Sequence, residues 1–99
     1  MLNIQQTTEN GSALFALEGR LDTVTAPRLE AALREALPGL TELTLDLGGL
    51  DYISSAGLRV LLSAQKTMNR QGAMKLRRVN ETILEIFEVT GFSEILTIE

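Results

Sequence analysis

The sequence predicts one small α/β domain whose sheet has one covered face and one wet face. Three observations lead there. Leu43, Leu45 and Leu47 alternate with Thr44 and Asp46, and Met74, Leu76 and Arg78 alternate with Lys75 and Arg77, the two-residue period of strands. Segments with the apolar period of helices lie between and after these runs. Asn10-Gly11 separates two further strand-like runs, a strong hairpin signal. Clean alternation means that one side of each strand is buried and the other meets water.

The elements follow in order. Residues 2–8 and 12–19 are the two hairpin strands. The first helix runs from about Ala26 to Leu37. Thr25 is its N-cap, Pro27 is tolerated in its first turn, and Leu29, Ala32, Leu33 and Ala36 form its apolar stripe. Pro38-Gly39 ends it. Leu43–Leu47 is a strand, and Gly48-Gly49 opens a short loop after it. The second helix begins near Ser55-Ala56-Gly57 and ends before Gly72. Gly57, Val60, Leu61, Ala64 and Met68 share one of its faces. Leu58 and Leu62 lie on the flank of that face, so this helix carries more apolar surface than one core contact needs. Either the buried stripe is wide, or Leu58 and Leu62 belong to a docking surface. Residues 74–78 form the next strand. A third helix starts after Asn80, with Ile83, Ile86 and Phe87 as its stripe and Gly91 as its C′ residue. A short last strand covers 94–98.

Composition sets the limits. The 99 residues allow one domain with one core, and 44% apolar content with 4% aromatic makes that core aliphatic. There is no Cys, which removes disulfides, thiolate metal sites and cysteine nucleophiles. There is no His, which removes the commonest metal ligand and any Ser-His-Asp triad within this chain. No phosphate-binding loop of the G-x-x-x-x-G-K-[S/T] type is present, and nothing places Lys66 or Lys75 as a base beside a serine. Catalysis, cofactor and metal are therefore not expected. The net charge of −4, with basic residues dispersed apart from Arg77-Arg78, argues against nucleic acid. No apolar run is long enough for a bilayer and the N-terminus lacks signal-peptide features, so the default expectation is a cytoplasmic monomer.

The informative segment is Leu45-Asp-Leu-Gly-Gly-Leu-Asp-Tyr-Ile-Ser-Ser-Ala-Gly-Leu-Arg-Val-Leu-Leu62. It reads as a strand, a short loop and a helix that opens on Ser, Ser, Ala and Gly. Unpaired N–H groups and the positive end of the helix dipole lie there. A serine hydroxyl at this place caps the helix, and the same surroundings stabilise an added phosphoryl group. Gly57 leaves room for a partner's backbone or nucleotide to approach. On spacing alone the cap is the simpler account.

The chain resembles the STAS-domain family, in particular the bacterial anti-sigma factor antagonists, over nearly its whole length. Gly19-Arg-Leu-Asp22 is similar to the family's G-x-L-D, and Leu45-Asp-Leu-Gly-Gly-Leu50 to its L-D-L-S-G-L. Tyr52-Ile-Ser-Ser-Ala-Gly-Leu58 resembles its phosphorylation loop, and Gly91-Phe92 fits near the end. The resemblance implies a mixed sheet of about four to five strands with helices mainly on one face. It implies partner switching: the unphosphorylated domain binds a serine-kinase anti-sigma factor of the histidine-kinase-like ATPase fold, phosphorylation by ATP releases it, and a metal-dependent serine phosphatase resets it.

The commonest family form reads Asp-Ser-(Ser or Thr)-Gly-Leu, whereas this chain reads Ser54-Ser55-Ala56-Gly57-Leu58. A phosphosite directly before the glycine is impossible here. Ser55 is the nearest hydroxyl and the expected phosphosite, with Ser54 the second candidate. Asp22 and Thr23, beside the loop by resemblance, join Ser54, Ala56, Gly57, Leu58 and Leu62 as the expected partner-binding residues, although an Asx-turn accounts for Asp22 equally well. Arg59 could balance phosphate charge or simply be solvated, and Asp46 is read as structural. The rival is a STAS interaction module that is never phosphorylated, within a larger regulatory or transport complex. A further alternative keeps the switch but gives it an output other than a sigma factor.

Overall fold

The computed structural model describes residues 1–99. Four strands and three helices follow in the order β1 (Leu2–Glu9), β2 (Ser12–Leu21), α1 (Ala26–Ala36), β3 (Glu42–Ile53), α2 (Ser55–Gln71), β4 (Ala73–Arg77) and α3 (Glu81–Thr90). The sheet order is β1-β2-β3-β4, with β1 antiparallel to β2 and the other two pairs parallel, so the sheet is mixed. Asn10 and Gly11 both have positive φ, the conformation a two-residue hairpin turn requires, and Glu9 pairs with Ser12 across it.

Register aligns the apolar side chains in rows. Ile4 faces Leu17, Phe15 lies beside Leu45 and Leu45 beside Leu76, and Ala13, Leu43 and Met74 form a third row. These residues share one core with Leu29 and Leu33 of α1, Leu61, Ala64 and Met68 of α2, and Ile83 and Phe87 of α3. The helices thus cover one face. The opposite face carries Asn3, Gln5, Ala16, Glu18, Asp46 and Arg78 around an open polar hollow. No helix is long and apolar enough to cross a membrane.

Three features differ from the sequence reading. First, β3 does not stop at Leu47 but continues through Gly48 and Gly49 to Ile53. Those glycines punctuate without breaking the strand, because Gly49 still pairs with Glu18 and Leu50 with Gly19. β3 absorbs the mismatch with one extra residue opposite the step from Ala16 to Glu18 and another opposite the step from Gly19 to Arg20. Gly19 has φ +102°, and a Cβ there would overlap the Met1 carbonyl, so this position demands glycine. Second, Thr25 stands at the start of α1, but its side chain makes no capping bond. The Ala26 N–H donates instead to the Asp22 backbone carbonyl at 2.8 Å, and the Asp22 carboxylate accepts from Val24 N and Thr25 N just ahead of the helix. Third, residues 94–98 form no strand. The chain makes a 3₁₀ turn over Phe92–Glu94, returning Phe92 and Leu96 to the core, and only Ile98 bridges to Leu76. The third helix follows expectation: Asn80 Oδ1 accepts from Ile83 N at 2.9 Å, and Gly91 ends it at φ +82°.

Candidate functional site

β2 and β3 run parallel and finish side by side, with Leu21 paired to Ile53. One further bond, from Ser54 N to Leu21 O at 2.9 Å, carries the ladder into the following loop. This sets the Asp22–Thr25 loop beside the start of α2. The motifs that stand more than thirty residues apart in sequence therefore meet because their strands are neighbours.

The Asp22 loop is tightly bonded. Asp22 Oδ1 accepts from Val24 N and Thr25 N, both at 3.0 Å. Thr25 Oγ1 accepts from Asp22 N at 2.9 Å and donates to Arg20 O at 2.8 Å. The Thr25 N–H bond, reinforced by the Thr25 hydroxyl, the Val24 N–H and the Arg20 charge, holds the Asp22 carboxyl below its ordinary value, although partial desolvation pushes the other way. The bonds that the Asp22 carboxylate accepts stay within its own loop and none reaches Ser54 or Ser55. Its effect on the site is to fix Thr23 and Val24 in place. Thr23 is exposed and Val24 is 82% exposed.

Ser54, not Ser55, is the N-cap of α2. Its backbone is extended and its hydroxyl accepts from Gly57 N at 3.4 Å. Ser55 is the first helical residue, is exposed, and its hydroxyl has no partner within the chain. No acidic residue lies in the first turn. Four residues on, Arg59 is exposed on a neighbouring part of the helix surface and makes no ion pair, whereas Arg34, Arg77 and Arg78 each face a carboxylate. Ala56 and Arg59 line a groove between α1 and α2 of about 400 Å³, together with Thr23, Pro27, Glu30 and Ser63.

Two expected partner residues turn inward. Leu58 is 7% exposed and belongs to the core, so the wide-stripe account holds for it and it offers no free docking surface. Leu62 is half-buried and retains an outward portion. Gly57 is buried as well. A Cβ on it would lie 2.7 Å from Leu21 Cγ and 2.9 Å from Ile53 Cγ1. Its missing side chain therefore lets α2 pack on the ends of β2 and β3 instead of making room for a partner.

Sequence reasoning missed two exposed groups here. Val24 is an apolar side chain held out by a bonded loop, and its lack of any helical or strand period was the available signal. Tyr52 lies under Arg20, with the guanidinium 4.3 Å from the ring centre. Arg20 in turn approaches Asp22 Oδ2 at 3.8 Å. That stack depends on the β2–β3 register, which no short-range pattern encodes.

Asp46 lies apart, on the open face of the sheet. Its oxygens face Gly48 N at 2.9 Å, Arg77 Nε at 3.2 Å and Arg78 Nε at 3.4 Å. Burial pushes its carboxyl up, but the Gly48 N–H, the Arg77 bond and the two arginine charges outweigh it and leave the carboxyl below its ordinary value. For both Asp22 and Asp46 the folded value lies below the unfolded one. Their stabilisation is therefore present above the unfolded value of 3.8 and is lost as pH falls through the lowered folded values. Urea unfolding between about pH 2 and 7 is expected to show a midpoint that falls on the acid side, and a weaker acid fall in Asp46→Asn. An equal fall in that variant would mean that Asp46 contributes nothing to acid sensitivity.

Against this geometry the comparisons with known proteins agree. The family model described as "Mlab, STAS domain" matches residues 4–97. BtrV of Bordetella bronchiseptica is 38% identical over 90% of this chain and 78% of its own. The anti-sigma-B factor antagonist of Listeria monocytogenes is 33% identical over 82% of this chain and 73% of its own. The structure of the Bacillus cell fate determinant SpoIIAA in its phosphorylated form superposes with a TM-score of 0.77, at 17% identity, over 98% of this chain and 91% of that one. The family match spans nearly the whole mixed four-stranded domain, and this chain belongs to the STAS-domain family.

Proposed function

We propose that this chain is an anti-sigma factor antagonist that binds a serine-kinase anti-sigma factor when unphosphorylated and is released by phosphorylation at Ser55. The observation that carries the choice of residue is the helix start: Ser54 is engaged as the cap, Ala56 has no hydroxyl, and Ser55 is exposed with its hydroxyl free. In the transfer, Ser55 Oγ bonds to the γ-phosphorus of ATP and the bond to the bridging oxygen breaks. ADP leaves, and the hydroxyl proton goes to a base supplied by the kinase, since no side chain of this protein bonds the Ser55 hydroxyl. The role of this chain is binding and accepting, not catalysis. A metal-dependent serine phosphatase reverses the modification by hydrolysis.

Release follows from charge. A phosphoserine adds about −1.5 to −2 at neutral pH. Within this chain that charge is tolerated: it sits at the positive end of α2, with no acidic residue in the first turn and unpaired Arg59 four residues away. Against a closed partner surface that offers it no cation, it loses the water that otherwise solvates it, which costs several kcal/mol. Thr23, Val24, Ser54, Ala56 and the outward part of Leu62 supply the surrounding contact surface. Affinity falls through the interface while the fold persists.

A second reading has its own support. Ala56 directly before Gly57, a position without a hydroxyl, favours a STAS interaction module that is never phosphorylated. The discriminating experiment is phosphopeptide mapping of the protein purified from its own cells and after incubation with a candidate kinase and ATP. Phosphate on Ser55 is expected. Phosphate on Ser54 would move the switch to the cap residue, and no phosphate under any condition would leave the passive module as the function.

A further inference from the structure

The two edges of the sheet are treated differently. The outer edge of β4 is covered: Leu76 N donates to Thr97 O and Glu99 N donates to Leu76 O, both at 2.8 Å, and Lys75 faces Glu99 at 3.7 Å. Lys75, Arg77 and Arg78 add the charges that commonly guard an edge. The outer edge of β1 has no such protection. This strand has eight residues in unbroken register with β2, without a bulge or proline, and no charged residue occurs before Glu9.

The register identifies which backbone groups are free. Arg20 N donates to Met1 O, and Glu9 pairs with Ser12 next to the turn. Backbone groups alternate sides along an antiparallel strand. Those of Asn3, Gln5, Thr7 and Glu9 therefore point at β2, and those of Leu2, Ile4, Gln6 and Thr8 point outward. The Leu2 carbonyl is already occupied by the Arg28 guanidinium. What remains is a free edge of Ile4, Gln6 and Thr8, closed by Arg28 at one end and by the turn at the other.

We infer that a second copy of this chain pairs with this edge, β1 antiparallel to β1, about a twofold axis at Gln6. In that register Gln6 faces Gln6, Ile4 faces Thr8 and Thr8 faces Ile4, each pair exchanging both backbone bonds. Every outward backbone group of Ile4, Gln6 and Thr8 is then used, and only the Leu2 N–H beyond them stays with solvent. The pairing is self-complementary, as a twofold interface must be. A chain with a net charge of −4 repels its own copies over most of its surface, and the stretch from Leu2 to Thr8 is where that repulsion is absent. The joined sheet has eight strands, and the Ser55 end of each copy lies away from the new edge at the far ends of β2 and β3. The contact is small, so the association is weak and concentration-dependent.

Sedimentation analysis from about 10 µM to 1 mM tests this, because small interfaces of this kind are populated only at high concentration. The wild type is expected to shift from monomer to dimer. Gln6→Pro removes an outward N–H without touching the β1–β2 ladder, and is expected to weaken the dimer by about tenfold or more at an unchanged thermal midpoint. Gln6→Lys and Gln6→Glu provide a second test that does not depend on proline. Each alone places like charges across the axis and is expected to stay monomeric, whereas a mixture of the two is expected to form the heterodimer. A wild type that is monomeric throughout, a dimer that Gln6→Pro leaves intact, or a mixture that fails to associate would overturn the proposal.

Discussion

Ser55→Ala is expected to keep the chain folded and bound to its kinase partner while abolishing release by ATP. The substitution removes a hydroxyl that has no partner within the protein and places a good helix former at the first helical position. Stability should therefore be unchanged within a few tenths of a kcal/mol, the usual size of a neutral surface change. Phosphate incorporation should vanish, because the neighbouring hydroxyl of Ser54 is engaged with Gly57 N and half-buried. Ser54→Ala gives the reciprocal result. It removes the cap and costs about 0.5–1 kcal/mol, at the low end for this motif because the bond is long, while phosphorylation at Ser55 continues. Binding followed by surface plasmon resonance with and without ATP, paired with urea unfolding, separates the two. If Ser54→Ala blocks phosphorylation and Ser55→Ala does not, the roles of the two serines are reversed. If neither changes release, the switch does not lie at this helix start.

That assignment shows where the sequence was legible and where it was not. Element type followed from period and punctuation. The alternation at Leu43–Leu47, the Asn10-Gly11 turn, and the Asn80 and Gly91 boundaries of the third helix were all visible, because each rests on contacts within a few residues. Features set by distant neighbours were hidden. Gly48-Gly49 looks like a stop, yet β3 runs through it by bulging one residue against β2 before Gly49 and resuming its pairing at Glu18 and Gly19. Leu58 looked like flank surface on a helical wheel, and is buried because the core around α2 is wider than one stripe. Gly57 suggested space for a partner, but the space is taken by Leu21 and Ile53, which reach it only through the sheet. In the site itself the serine-led helix start could be read locally. That Ser54 caps and Ser55 is free depends on which residue takes the extended backbone after Ile53, and the Leu21–Ser54 bond at the end of the ladder fixes that.

The same ladder explains why the largest loss of stability should come from a residue far from the serines. Phe15 is fully buried, lies beside Leu45 in the register, and through it stands in one row with Leu76. This row crosses the middle of β2, β3 and β4 under the helices. Phe15→Ala removes a large aromatic side chain where three strands and the covering helices hold the surroundings in place, so the cavity cannot collapse fully. A cost of about 3–5 kcal/mol is expected. Domains of this size are stable by only about 5–15 kcal/mol, so much of the folding free energy is lost. Leu14→Ala, next along the same strand but half-buried on the open face, should cost far less. Urea unfolding of both variants measures the difference. The expected order also bears on the switch. The Asp22 loop and the start of α2 sit at the ends of β2 and β3, so a weakened Phe15–Leu45 row should lower partner binding only in proportion to the folded fraction. Binding lost in a Phe15→Ala sample that remains fully folded would mean that the strand ends move independently of the core, and that the site is not held by the ladder as argued.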